Sequence, residues 1–333
     1  MSDNTPYSHD KSYKRLFSSP ELVQQLVEGF VDPDIARLLD FSTLERVEGS
    51  YITPTMKNRE SDIVWKVQAG NTIVYLYLLL EFQSTVDHAM PVRMMLYIAA
   101  LYEQLIKTNP QAGLPPVLPI VLYNGDNKWT AKTSIQDLMP TYPQALAPYQ
   151  PQCNYLLIDV NSYAQHELES VRNFVAGVFA IETAKTHADF INAIHHLQRL
   201  AKENNELSVV IQTIEAWLSM KLHHKFPDIQ VDDINLCEET GMLETNIDRW
   251  YEQAYSSGVQ QGISQGISQG ISQGISQGIN RGKALLLEQM IGMRFPNADL
   301  SRYQGAIRDA AEDDLARYSA RLFSAKEIQD IFE

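Results

Sequence analysis

Apolar residues fall at helical spacing over 10–17 and again over 20–30, where Leu22, Val23, Leu26, Val27 and Phe30 share one face. Around 44–47 the pattern turns strand-like. Two strands are then predicted, 62–67 (DIVWKV) and 72–83 (TIVYLYLLLEFQ), joined by a turn through Gly70-Asn71. The second is apolar on both faces, as a central strand covered on both sides should be. The spacing over 90–107 predicts a helix entered after Pro91 and ended before Asn109-Pro110. Short apolar runs at 116–123 and 154–160 read as two further strands, and helices resume over 167–181 and 187–220. This order predicts an α/β sheet flanked by helices.

From residue 258 the pattern changes to a tetrad, GVQQ-GISQ-GISQ-GISQ-GISQ-GINR-GKAL, with Gly at 258, 262, 266, 270, 274, 278 and 282. On a helix four residues advance 400°, so the Gly column and the Ile column (263, 267, 271, 275, 279) drift together by roughly 40° per repeat. Each Gly costs roughly 1 kcal/mol against Ala in a helix, so the segment needs a partner to be helical. A flexible linker is the alternative, and the Gly/Ser/Gln content suits one. Five isoleucines at fixed spacing favour a helix packed on a copy of itself. After the repeat, 284–295, 300–310, 313–323 and 325–332 read as helices. The expected division is 1–250, an α/β domain with a helical extension; 251–282, the repeat; and 283–333, a small all-α module.

The 333 residues hold 27 Lys+Arg against 41 Asp+Glu, a net charge of −14 carried mostly by residues 131–333. No broad basic face of the kind that drives salt-dependent DNA binding is expected. A nuclease remains open, because carboxylates clustered in a cleft are independent of total charge. Cys153 and Cys237 alone cannot build a disulfide framework or a cysteine zinc ribbon. The longest apolar run, 73–80, is far short of the roughly 20 residues a membrane helix needs. With no apolar leader in MSDNTPYSHDKSYKR, the expected location is the cytoplasm.

Candidate chemistry sits on the adjoining strands. Glu81 and Gln83 share a face of the second strand, and a hairpin centred on Gly70-Asn71 puts residue 79 opposite Asp62. Two carboxylates so placed suit a hard divalent ion such as Mg²⁺. The alternative makes Asp62 a turn residue and Glu81 a solvated strand-end charge. Against it, Glu81 directly follows the apolar run of a buried strand, and Gln83 beside it asks for a partner. Arg93 and Tyr97, at i,i+4, face one way from the next helix and suit phosphate, though packing on the sheet explains Tyr97 equally well. The pairs His195-His196 and His223-His224 are adjacent, so their members point to different faces. The tyrosines are scattered, and no phosphate-binding Gly loop occurs.

The residues His9-Asp10-Lys11-Ser12-Tyr13-Lys14 with Phe17, then Glu60-Ser61-Asp62-Ile63-Val64-Trp65, then Leu80-Glu81-Phe82-Gln83-Ser84 form a recognisable set. With Arg93, Tyr97, PIVLYNG (119–125) and LLIDV (156–160), it resembles the Rpn family of recombination-promoting, transposase-like nucleases in the PD-(D/E)XK superfamily. The resemblance covers about 7–160 well and the next hundred residues loosely. It implies a restriction-endonuclease-like mixed sheet, DNA as substrate, and Mg²⁺ or Mn²⁺ as cofactor. Asp62 and Glu81 become the acidic members of the motif, with the Phe82 carbonyl as a further metal ligand. Gln83 stands where the superfamily has Lys, so it can orient a water but brings no charge. His9 is implied as a base or phosphate contact, and is otherwise an N-terminal flank. Asp10 is a candidate N-cap, and Lys14 a cation near the cleft. A nuclease fold that binds DNA or assembles without cutting is the rival expectation. A homodimer or higher oligomer through the repeat and the C-terminal helices is expected in either case.

Overall fold

The computed structural model describes residues 9–47, 62–81, 85–227, 229, 234–238 and 241–332. Within them the chain divides into two units, Met1–Tyr251 and Glu252–Glu333.

The first unit is built on a five-stranded mixed sheet in the order β1 (Asp40–Arg46), β2 (Asp62–Ala69), β3 (Thr72–Glu81), β4 (Val117–Tyr123), β5 (Leu156–Asp159). Strands β1, β2 and β3 are antiparallel neighbours, whereas β4 and β5 run parallel to β3. The β2–β3 turn falls at Gly70-Asn71, where Gly70 takes φ +59°, a conformation that suits glycine. Ala69 therefore pairs with Thr72, and the unbroken register ends with Asp62 opposite Leu79.

Among the described residues three helices precede β1: α1 (His9–Leu16), α2 (Pro20–Phe30) and the short α3 (Pro33–Ala36). Ser19 caps α2, its Oγ accepting from the Leu22 N–H, with Pro20 at the first helical position. Helix α4 (Met90–Thr108) crosses from β3 to β4, as parallel neighbours require. It lays Met90, Met94, Tyr97 and Leu101 on Val64, Tyr77, Leu79, Val121 and Tyr123. The alternate residues Leu76, Leu78, Leu80, Ile120 and Leu122 are equally buried, so the central strands are covered on both faces. On the far side from α4, α1 packs on β3, and the Trp65 indole N–H donates to the Phe17 carbonyl at 3.1 Å.

The helical part of this unit is more broken than its apolar periodicity suggests. The predicted helix at 167–181 is two, α5 (Gln165–Ser170) and α6 (Phe174–Thr183). Asn173 starts the second, its side chain accepting from the Ala176 N–H at 2.8 Å. The predicted helix at 187–220 also divides, into α7 (His187–Glu203) and α8 (Ser208–Lys225), because Asn204 takes up the Leu200 carbonyl and ends α7.

Helix α9 (Met242–Arg294) contains the whole tetrad repeat. Its five repeat isoleucines are between 52% and 59% exposed. A Cβ added at any repeat glycine would meet nothing within 4 Å among the described residues. Beyond the repeat the second unit has its own core, in which Ala284, Leu287 and Ile291 meet Ile307, Leu315, Leu322 and Ile331. The segment predicted as one helix at 300–310 is a 3-10 turn, Leu300–Arg302, followed by α10 (Gln304–Arg308). Helix α11 (Glu312–Leu322) and a last 3-10 turn complete the unit. Among the described residues no helix is long and apolar enough to cross a membrane.

Candidate active site

The parallel strands β3, β4 and β5 end level with one another, Glu81 beside Tyr123 and Tyr123 beside Asp159. Ligand crevices in α/β sheets form outside such carboxyl ends. The Asn124 N–H donates to the Glu81 carbonyl at 3.0 Å, which ties the end of β3 to the loop after β4.

Asp62 starts β2 on the α4 side of the sheet. Its Oδ2 accepts from the Tyr77 hydroxyl at 2.7 Å. Its Oδ1 is buried with no hydrogen-bond partner among the described residues. Burial raises its pKa to about 6, offset in part by the Tyr77 hydrogen bond and the charges of Arg93 and Lys14, while the Glu81 charge adds to the rise. A carboxylate oxygen held dry and unpartnered near a second carboxylate is a site that fits a cation.

Glu81 is buried, and Arg93 of α4 reaches it, Nη2 lying 2.6 Å from Oε1. The other arm of the guanidinium, Nη1, lies 2.8 Å from Oδ2 of Asp87. Burial opposes the charge on Arg93, but Glu81 and the Tyr97 hydroxyl outweigh it and hold the guanidinium above its ordinary pKa. The Tyr97 ring stacks on Tyr77 with centroids 5.7 Å apart, and its hydroxyl accepts from Arg93 Nη2 at 3.4 Å. One chain of contacts therefore runs Asp62–Tyr77–Tyr97–Arg93–Glu81.

The structure thus gathers Asp62, Glu81, Lys14, Arg93 and Tyr97. Lys14 lies on α1, near enough for its charge to act on Asp62. Phe82 and Gln83 lie outside the described residues. The backbone of α1 places Asp10 inside the first turn, so it does not cap the helix from outside; the side chains of His9 and Asp10 are not among those described. Arg93, expected to face phosphate, is committed to two carboxylates.

Tyr77 and Asp87 were not singled out in the sequence. Tyr77 is hidden in an apolar run, although its parity with Glu81 on β3 is a usable signal. Asp87 is held by the start of α4, where its Oδ1 accepts from the Ala89 N–H at 2.9 Å. Asp159 is not part of the carboxylate pair: its oxygens take the N–H groups of Trp129 and Asn161, and burial raises its pKa. Among the described residues no group of three or more His, Cys, Asp or Glu could hold a metal.

A family profile described as "Putative transposase, YhgA-like" matches residues 7–210. The recombination-promoting nuclease RpnC of Escherichia coli K12 is 24% identical over 247 residues, covering 74% of this chain and 81% of that protein. RpnD of Escherichia coli O157:H7, also named a recombination-promoting nuclease, is 28% identical over 121 residues, 36% of this chain. The K12 protein RpnE, named an inactive recombination-promoting nuclease-like protein, is 26% identical over 127 residues, 38% of this chain. The chain spans less than half the length of these last two relatives, 46% and 42%. No solved structure matches the chain.

Proposed function

Because the chain belongs to the YhgA-like transposase family, we propose that its first unit is a metal-dependent DNA endonuclease of PD-(D/E)XK type that promotes recombination or related DNA rearrangement. The observation that carries this reading is the buried Oδ1 of Asp62, without a hydrogen-bond partner among the described residues, on a carboxylate close enough to feel the charge of Glu81. Asp62 and Glu81 would hold Mg²⁺ or Mn²⁺, and the resemblance adds the Phe82 carbonyl as a further ligand. When bound there, such an ion would lower the pKa of a water and offset charge on a phosphoryl oxygen. The chain's own residues do the rest. Tyr77 fixes the rotamer of Asp62 through its hydrogen bond. Lys14 brings a positive charge to the DNA side, and Gln83 orients the attacking water by hydrogen bonding. The location that suits this substrate is the cytoplasm.

Plasmid cleavage in Mg²⁺ tests the proposal. Native protein should cut, and Asp62→Ala and Glu81→Ala should each lose about a hundredfold or more in rate, since losing a ligand should cost at least the upper end of the roughly 10–100-fold seen for outer-shell partners. Equal cleavage by all three would sink the assignment. The relative named inactive keeps a second reading in play, a DNA-binding or assembly module on the same fold. Absence of Asp62-dependent Mn²⁺ binding would favour it.

The proposal includes a second copy of the chain, paired through the repeat helix and the C-terminal helices. The isoleucine column is exposed in the single chain, and residues 253–280 carry no charge. In a chain of net charge −14 this is a surface on which two copies meet without repulsion. Two copies also bring two sites, one for each strand of a duplex.

A further inference from the structure

A guanidinium fork shared between two carboxylates is a more specific arrangement than one ion pair. Arg93 spans Glu81 at 2.6 Å and Asp87 at 2.8 Å, with only 12% of its side chain exposed. The two carboxylates differ. Glu81 ends a buried strand, and its side chain is 11% exposed; Asp87 stands before α4 and is 30% exposed. Arg93 Nε is buried with no partner among the described residues, so the guanidinium is not fully satisfied where it sits.

We propose that Arg93 is a latch: it occupies the cation position beside Glu81 in the metal-free protein and passes to Asp87 alone when a divalent ion binds. The inference rests on the reading of Asp62 and Glu81 as the ion's ligands. Three physical points support it. A guanidinium and a divalent ion on one buried carboxylate repel at close range in a medium that screens poorly, so the two occupants compete. The backbone of Glu81 is held in place, since β3 pairs with β4 as far as Tyr123 and the Asn124 N–H donates to the Glu81 carbonyl. Arg93 has a long flexible side chain and already holds Asp87, so it leaves Glu81 without losing its second carboxylate. The latch also removes the cost of a buried, uncompensated Glu81 before metal arrives. Once it leaves Glu81, Nη2 has a hydrogen released beside Nε, and the two lie on one edge of a planar fork, the geometry that recognises phosphate. Metal binding then prepares the site for the DNA backbone.

Two measurements on the full chain without DNA test this. In calorimetry with Mn²⁺ at pH 8, Arg93→Met should bind the ion at least about tenfold more tightly than native protein, as removal of a competitor requires. In native protein, added Mg²⁺ should shift the guanidinium ¹⁵N resonances of Arg93, and the shift should be absent in Asp62→Ala. If the native protein binds Mn²⁺ but the Arg93 resonances stay in place, or if Arg93→Met binds equally or less tightly, the latch is overturned and the metal-site reading survives. If the native protein binds no metal, both fail. Should Arg93→Met not fold, the resonance measurement on native protein decides alone.

Discussion

Asp62 is in conflict with its surroundings, and the conflict has a sign that can be measured. Its native pKa of about 6 lies above the ordinary 3.8, so the native state holds this proton more tightly than the unfolded chain does. Its contribution to stability is therefore complete below about pH 4 and is lost as the pH rises through about 6. Asp62→Asn keeps an acceptor for Tyr77 and removes the charge. It should stabilise the metal-free protein at pH 8 by roughly 1–3 kcal/mol and leave it unchanged at pH 4. Thermal unfolding at the two pH values decides; equal effects at both would mean that Asp62 does not titrate there. Much of this site was legible residue by residue. The Gly70-Asn71 turn and the period of two already put residue 79 opposite Asp62, since local turn chemistry fixes a hairpin's register. The partner of Arg93 was not legible. Its bond to Glu81 depends on how α4 lies on the sheet, which no local pattern encodes.

Helices α6, α7 and α9 show how far periodicity goes at the scale of the element. The apolar pattern over 167–181 runs through a break that only Asn173 reveals, because a cap is a single side chain and leaves the hydrophobic period intact. The Asn204-Asn205 pair was a usable stop signal for α7. The repeat part of α9 presents the opposite case. Seven glycines cost the helix roughly 1 kcal/mol each, while the isoleucines that would offset this are exposed in the single chain. A paired helix, as proposed, would resolve the imbalance. Light scattering should give a dimer for the full chain and a monomer both for Ile267→Ser/Ile271→Ser and for a chain ending at 255. A monomeric full chain, or a dimer unaffected by either change, would leave the repeat as a tether.

At the scale of the whole molecule, each unit has its own buried cluster, one around Tyr77, Leu79 and Val121 and the other around Ile291 and Ile307. The units should unfold separately. Calorimetry is expected to show two transitions, and Ile291→Ala should lower only one of them, by about 2–5 kcal/mol as a buried isoleucine truncation does. A single transition displaced as a whole would refute this. Residues 258–282 of the repeat lie in sequence between the residues that build these cores and belong to neither cluster. Among the described residues a Cβ added at its glycines would meet nothing within 4 Å, and its isoleucines are more than half exposed. One GISQ block more or fewer would change the helix by about 6 Å at 1.5 Å per residue, and no core side chain would gain or lose a neighbour. The coding sequence can therefore expand or contract there in steps of four codons, leaving both folds intact.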